Sequence, residues 1–183
     1  MISCTEFIPA YSELFKFLEA RGGREAVEDF WEYLSDHFLG NLRSEVQQHG
    51  LRGCWNYWTH TLNEEAAAFS MELDEQRGYF QIVMHRCPSM QQLLELDHIE
   101  PYHDYCRHCD VLYRRVLEPL GYQYTIDLSR CRQATCVLTV QSLSENPRAR
   151  APFADSSEQN VPVPLSSKSC RTDSKPGPEE TGS

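Results

Sequence analysis

The stretch YHDYCRHCD at residues 102–110 concentrates side chains that can bind metals, move protons or attack electrophiles. Cys106 and Cys109 are three residues apart, so on a helix their sulfur atoms project from nearly one face and can reach one ligand. The positive end of a helix dipole favours the thiolate and lowers the cysteine pKa, whereas the charges of Asp104 and Asp110 raise it. The spacing is therefore compatible with a metal site, a redox pair or a cysteine nucleophile.

Further candidate residues lie at the ends of predicted strands. Cys87 ends the segment YFQIVMHRC, and if the strand persists to this end, its alternation predicts that the Cys87 side chain shares a face with His85. A cysteine at a strand end opposite a helix start is a common site geometry, so we expect Cys87 to converge on one pocket with Cys106 and Cys109. Cys136 falls on the apolar face of the last predicted strand, where it is expected to act as a small buried hydrophobic residue.

The first of the three chemistries is a structural zinc or iron–sulfur site. It would take Cys106 and Cys109, with two further ligands drawn from Cys87, Cys131, His103 and His108. The C-x2-C pair is single, whereas such sites commonly use a matching second pair. A thioredoxin-like redox pair would follow a strand in a βαβ unit, but a turn containing Pro101 precedes this pair. A cysteine nucleophile would instead attack an electrophilic carbon, such as that of a cyclic amidine or amide.

Hydrophobic periodicity predicts the helices that position these residues. Apolar side chains recur at helical spacing in residues 24–49 and in residues 55–76, and a shorter helix is expected at residues 10–20. Another helix is predicted from Pro88, because proline suits the first helical turn. A further helix begins with Asp104 as its N-cap, and it carries both cysteines of the quoted stretch.

Alternation of apolar and polar residues predicts three strands. The first is YFQIVMH at residues 79–85. The segments YQYTIDL and ATCVLTVQ form an antiparallel hairpin around SRCRQ, with the first strand beside it. The predicted fold class is α+β, with N-terminal helices packed on a small antiparallel sheet and a cysteine-bearing helix between strands.

Composition separates one folded domain from a C-terminal tail. Residues 1–144 form the predicted α+β domain, whereas residues 145–183 are rich in proline and serine and are predicted to be disordered. The net charge of −10 opposes binding to nucleic acid or to an anionic membrane, and no apolar run is long enough to span a membrane. Without a recognisable export signal, we expect a cytoplasmic protein whose cysteines are free thiols or metal ligands. The oligomeric state is left open.

Three blocks of the chain carry a resemblance to a known family. VMHRCPSMQQLL, YHDYCRHCD and LGYQYTIDLSRCRQATCVLTV follow one another within residues 79–140, which resembles the second half of the L-2-amino-thiazoline-4-carboxylic acid hydrolase family. Its members show a strand ending in Arg-Cys-Pro, a later cysteine closely followed by an acid, and a final strand with a cysteine. By resemblance, Cys87 matches the first position, Cys106 or Cys109 the second, and Cys136 the third. The chain departs from the family's Cys-x-x-Asp, and RQATC replaces a glycine–acid pair.

The resemblance implies a hydrolase that opens the cyclic amidine ring of a small molecule bearing a carboxylate, with no cofactor. A thiolate or an activated water attacks the amidine carbon, an imidazole moves the proton, and an arginine holds the carboxylate. The candidate catalytic residues are Cys87, Cys106, Cys109, His85, His108 and Asp110. The candidate substrate-binding residues are Arg130 and Arg86. The alternative is a non-catalytic zinc or iron–sulfur protein, with candidate metal ligands Cys87, Cys106, Cys109 and His103.

Overall fold

The chain forms helices and a four-stranded antiparallel sheet within residues 4–65 and 67–143, which are the residues that the computed structural model describes. The helices are α1 Cys4–Phe38, α2 Gly40–His49, α3 Leu51–Glu64, α4 Pro88–Leu94 and α5 Arg107–Leu117. The strands are β1 Ala68–Asp74, β2 Tyr79–Arg86, β3 Tyr122–Asp127 and β4 Cys136–Ser142. This is the predicted α+β class. The predicted disorder of residues 145–183 concerns a segment outside the described residues.

The sheet has the strand order β1-β2-β4-β3, with antiparallel pairing throughout. Phe80 of β2 pairs with Val140 of β4, which pairs with Tyr124 of β3, and all three side chains are fully buried. They face the helices, because alternate residues of a strand point to the same face. The opposite face, called the open face below, carries the hydrogen-bonded side chains of Gln81 and Thr139, 3.3 Å apart.

Strand β1 replaces the second half of the helix that was predicted at residues 55–76. Helix α3 ends at Glu64, and AFSMELD continues as a strand that forms a hairpin with β2. Phe69 and Leu73 are four residues apart, which fits one face of a helix and also one face of a strand. Met71 between them packs against the same core, as period two requires. The helix prediction beyond Glu64 is wrong because two apolar positions do not distinguish these periods.

Helix α1 bends at Gly23, whose φ of 70° and ψ of −173° are not helical. The predicted gap between the helices at residues 10–20 and 24–49 contains this kink, and the second of these helices is divided at Leu39 between the end of α1 and α2. The break at Leu39 changes which residue is buried, since Leu39 is 3% exposed and Phe38 is 74% exposed. The helical stripe predicts Phe38 as core, and that assignment is wrong because the helix does not continue through this point.

Two apolar clusters join the helices to the sheet and to one another. In the first, Trp58 of α3 stacks on Phe80 with a ring-centroid distance of 5.6 Å. In the second, Phe15 and Trp31 of α1 pack edge to face at 5.3 Å, beside residues of α4. Cys87 contacts both clusters, so it lies at their boundary. No helix in the described part of the chain has the length and apolarity that a membrane span requires.

The start of α5 differs from the prediction by a short distance. Helix α4 begins at Pro88 as predicted, but α5 begins at Arg107, with Cys106 in the N-cap position. Asp104 instead forms an ion pair with Arg24 of α1, at 2.6 Å. The prediction of Asp104 as the N-cap is therefore wrong. The Asp104 carboxylate instead links the turn before α5 to α1.

Candidate functional site

Five half-buried free cysteines, called the thiol cluster below, occupy the region where the ends of β2 and β4 meet the start of α5. They are Cys87, Cys106, Cys109, Cys131 and Cys136. The backbone N–H of Cys87 donates to the carbonyl of Ala134 at 2.7 Å, and Cys136 pairs with Met84 in the sheet. Burial is the largest cause of the raised pKa of Cys106, and charge on each of the other four cysteines raises that pKa further. The five sulfur atoms therefore share one electrostatic neighbourhood.

Cys109 and His108 form a hydrogen-bonded dyad within this cluster. The Sγ of Cys109 lies 3.5 Å from the Nε2 of His108, whose Nδ1 bonds the carbonyl oxygen of Tyr105. A carbonyl only accepts hydrogen bonds, so Nδ1 carries the ring proton and Nε2 is the acceptor of a neutral imidazole. Burial lowers the pKa of His108, which favours that neutral form. The thiol of Cys109 therefore donates to a nitrogen that can act as its general base.

The thiols of Cys87, Cys109 and Cys136 are protonated at neutral pH. Burial raises the pKa of Cys87 to about 11 and that of Cys109 to about 12. Burial, and then charge on Cys109, raises the pKa of Cys136 to about 12. The free energy needed to remove a thiolate from water is larger here than the stabilisation that the positive end of the α5 dipole provides. The dyad is consequently a neutral thiol–imidazole pair rather than an ion pair.

Tyrosine side chains lie near the dyad, and the sequence pattern did not reveal them. The ring of His108 lies edge-on to the rings of Tyr11 and Tyr105, at centroid distances of 5.9 and 4.9 Å. Burial, followed by charge on Cys109, raises the pKa of Tyr11, Tyr105 and Tyr113. These phenols therefore stay protonated and can donate hydrogen bonds. They come from separate elements, so no local spacing could have identified them.

Glu65 places a carboxylate near the dyad. After burial, the charge of Glu65 is the largest cause of the raised pKa of Cys109. Burial also raises the pKa of Glu65 itself, which makes it a candidate for proton transfer. Glu65 immediately follows α3, at a point where the predicted helix continued. The wrong helix boundary concealed its position in the site.

Asp110, a predicted catalytic acid, belongs to an ion pair on α5. Its Oδ1 accepts two hydrogen bonds from Arg114, at 2.6 and 3.1 Å, and Arg114 also binds Glu118 at 2.8 Å. The charge of Asp110 contributes to the raised pKa of Cys109, which opposes thiolate formation. The structure gives Asp110 no contact with His108.

His85 and Arg130 lie at a separate cavity, called the open-face pocket below. This cavity has a volume of about 260 Å³. Its wall includes Val83, His85, Asp127, Arg130, Cys136 and Val137. The Nε2 of His85 lies 3.0 Å from the Oγ of Ser70 on the neighbouring strand β1. The predicted site is thus divided between the dyad and this pocket, and Cys136 belongs to both the thiol cluster and the pocket wall.

The common face predicted for His85 and Cys87 is wrong. His85 is exposed, whereas Cys87 packs against both apolar clusters. Strand alternation ends at Arg86, and the turn into α4 brings Cys87 to the helix side. Arg86 does not line the open-face pocket, and it pairs with Glu95 at 3.4 Å on the surface.

The geometry of the described residues gives no support to a zinc or iron–sulfur site. Within residues 4–65 and 67–143, no group of three or more His, Cys, Asp or Glu side chains is arranged to hold a metal ion. His103, a candidate ligand, lies 3.7 Å from the carboxylate of Glu19 and packs on the ring of Tyr102. It makes no contact with the thiol cluster.

No family model, curated protein or solved structure matches the chain. The resemblance to the aminothiazoline carboxylate hydrolases therefore stays a prediction from the sequence.

Proposed function

We propose that this protein is a thiol-dependent hydrolase that opens a small cyclic amidine or amide. One observation carries the proposal: Cys109 Sγ lies 3.5 Å from His108 Nε2, and the bond from His108 Nδ1 to Tyr105 fixes the tautomer. Such a pair can attack an electrophilic carbon without a resting thiolate, because the base accepts the proton as the bond forms. The resemblance of residues 79–140 to a hydrolase family supports the same reaction class and a substrate that carries a carboxylate.

The reaction begins with attack and proton transfer. As Sγ of Cys109 bonds to the amidine or amide carbon, Nε2 of His108 takes the thiol proton. Collapse of the tetrahedral intermediate breaks the ring C–N or C–S bond, and His108 returns the proton to the leaving atom. Water then attacks the covalent intermediate, the bond to Sγ breaks, and the thiol is regenerated.

The nearby tyrosine side chains suit the charge that develops during this attack. The raised pKa values of Tyr11, Tyr105 and Tyr113 keep the phenols protonated, so each retains a hydrogen-bond donor. A donor held in a partly buried site stabilises a developing negative charge more strongly than it would in water. Burial of the dyad therefore raises the resting thiol pKa and also favours the transition state.

The proposal is tested with the full chain and 2-aminothiazoline-4-carboxylate, by following loss of the substrate chromatographically. Cys109→Ala should abolish turnover, and His108→Gln should lower kcat by roughly 10²–10⁴-fold, as expected for loss of a general base. Cys54→Ala is the matched control, because Cys54 is fully buried in the first apolar cluster and burial raises its pKa to about 12 as well. Equal turnover by the parent and Cys109→Ala would contradict the role of the dyad. No turnover by the parent would remove this substrate.

Metal analysis of the purified chain separates the hydrolase from the zinc or iron–sulfur alternative. The alternative predicts about one metal ion or cluster per chain and unfolding on chelation, since structural zinc contributes roughly 10–16 kcal/mol to folding. The hydrolase proposal predicts that turnover and the melting temperature are unchanged by a chelator. Loss of both would favour the alternative.

A further inference from the structure

We infer that the open-face pocket binds a small zwitterion with the size and charges of an amino acid. The cavity of about 260 Å³ contains one guanidinium, from Arg130, and one carboxylate, from Asp127. Most of its wall comes from the open face of the sheet, and neither Cys109 nor His108 lines it. The inference goes beyond the proposed hydrolase reaction and does not depend on it.

The floor of the pocket is a row of paired strand residues. Val83 of β2 pairs with Val137 of β4, and Val137 pairs with Asp127 of β3, so the three side chains stand side by side on the open face. The loop above them is held by the N–H groups of Gln133 and Thr135, which donate to the carbonyl of Arg130 at 2.9 and 3.4 Å. The two valines offer an apolar surface to a short hydrocarbon side chain, and the loop holds the charged groups in place.

Arg130 keeps most of its hydrogen-bonding capacity for a ligand. Its Nε donates to the amide oxygen of Gln133 at 3.0 Å, and within the described ranges Arg130 forms no ion pair. Ion pairs occupy Arg24, Arg52, Arg77, Arg86, Arg107, Arg114 and Arg115. In a chain with a net charge of −10, a guanidinium at a cavity that forms no ion pair is suited to bidentate binding of a ligand carboxylate.

Asp127 supplies the opposite charge. Its Oδ1 accepts the N–H of Ser129 at 2.9 Å, and the hydrogen bonds from Ser129, with the charge of Arg130, lower its pKa. A ligand with only a carboxylate would be attracted by Arg130 but repelled by Asp127. A ligand with only an ammonium group would be attracted by Asp127 but repelled by Arg130. A ligand with both charges satisfies both groups. His85, held by Ser70, adds a polar wall to the same pocket.

Calorimetry on the full chain tests this inference with L-alanine, propionate and ethylammonium, of which only the first carries both charges. L-Alanine should bind at least about tenfold more tightly than either other compound. Arg130→Gln should weaken L-alanine binding about tenfold or more. Asp127→Asn should also weaken L-alanine binding, but it should strengthen the binding of propionate because a repulsive charge is removed. Methyl NMR signals of Val83 and Val137 should shift when L-alanine is added.

Two control variants make the result specific. Arg132→Gln removes an exposed arginine from the same loop that does not line the pocket, and it should leave the affinity unchanged. Cys109→Ala should bind L-alanine as the parent does, which separates this inference from the hydrolase proposal. Absence of L-alanine binding at millimolar concentration, equal affinity for propionate, or full affinity in Arg130→Gln would each overturn the inference. If Arg130→Gln does not fold, Asp127→Asn and the methyl shifts still decide the matter.

Discussion

At the scale of the residue, protonation controls what the thiol cluster can do. Burial raises the pKa of Cys109 to about 12, so its thiol stays protonated at neutral pH. In the proposed reaction, His108 overcomes this while the substrate is attacked, because the imidazole accepts the proton in the same step. We therefore expect Cys109 to react slowly with general alkylating reagents.

The free energy of unfolding should fall above pH 9. The pKa values of Cys87, Cys109 and Cys136 are about 11, 12 and 12 in the folded chain, whereas an unfolded cysteine has a pKa of about 8.5. Between these values the unfolded chain has released protons that the folded chain retains, so each thiol lowers the free energy of unfolding by up to about 1.4 kcal/mol per pH unit. The stabilisation from these thiols is complete below pH 8. Urea unfolding at pH 7, 9 and 10 measures the loss.

Cys87→Ala provides the comparison for this pH profile. Removing one thiol with a raised pKa should make the decline between pH 9 and pH 10 less steep, whatever the variant's stability at pH 7. A parallel decline in the parent and the variant would show that the pKa of Cys87 is not raised by folding.

Sequence spacing could predict the residue types of the dyad but not its chemical state. Cys109 and His108 are adjacent in a conspicuous motif, and both are candidates for this reason. Their protonation depends on the Tyr105 carbonyl, which reaches His108 through the turn before α5, and on burial by distant segments. Glu65 and Tyr11 reach the dyad through tertiary packing. A pattern along the chain does not contain those contacts.

At the scale of the element, the close crossing of α2 and α3 depends on a glycine. A Cβ at Gly53 would lie 2.7 Å from the backbone nitrogen of Val46 and still closer to the carbonyl of Glu45. Real Cβ atoms do not approach backbone so closely, so a side chain here would separate the two helices. These helices position Leu42 and Trp58 in the first apolar cluster.

Gly53→Ala should therefore destabilise the chain by roughly 2–4 kcal/mol, the size expected when an added group forces packed backbone apart. Gly40→Ala is the matched control, because it lies at the start of α2 with nothing within 4 Å of an added Cβ. That variant should be neutral or slightly more stable, since alanine is the better helix former. Chemical denaturation of both variants gives the comparison. Similar stability of Gly53→Ala and Gly40→Ala would contradict the close crossing.

The elements could be predicted from the sequence where one hydrophobic period was unambiguous. Strand β2, the β3–β4 hairpin and the start of α4 are confirmed for this reason. Strand β1 could not be identified, because Phe69 and Leu73 satisfy the periods of both a helix and a strand. The end of α1 at Phe38 could not be identified either, because the apolar spacing continues through it, whereas the predicted gap between residues 20 and 24 does contain the kink at Gly23.

At the scale of the whole molecule, the sheet separates two kinds of chemistry. Its helix-facing side adjoins neutral thiols and phenols, and its open face carries a pocket with opposite charges. Cys136 borders both regions at the start of β4, the strand that joins β2 to β3. Both sites therefore depend on the central position of β4.

Truncation of the chain should show which C-terminal segments the sheet needs in order to fold. Residues 145–183 are predicted from their composition to contribute no packed core, so ending the chain after Ser144 should change the melting temperature by less than about 2 °C. Ending it after Leu138 removes Val140, which is fully buried between Phe80 and Tyr124, and the chain should not fold. Thermal unfolding followed by circular dichroism distinguishes the two. A fall of more than about 5 °C after removal of residues 145–183 would mean that this segment stabilises the domain, contrary to the prediction from its composition.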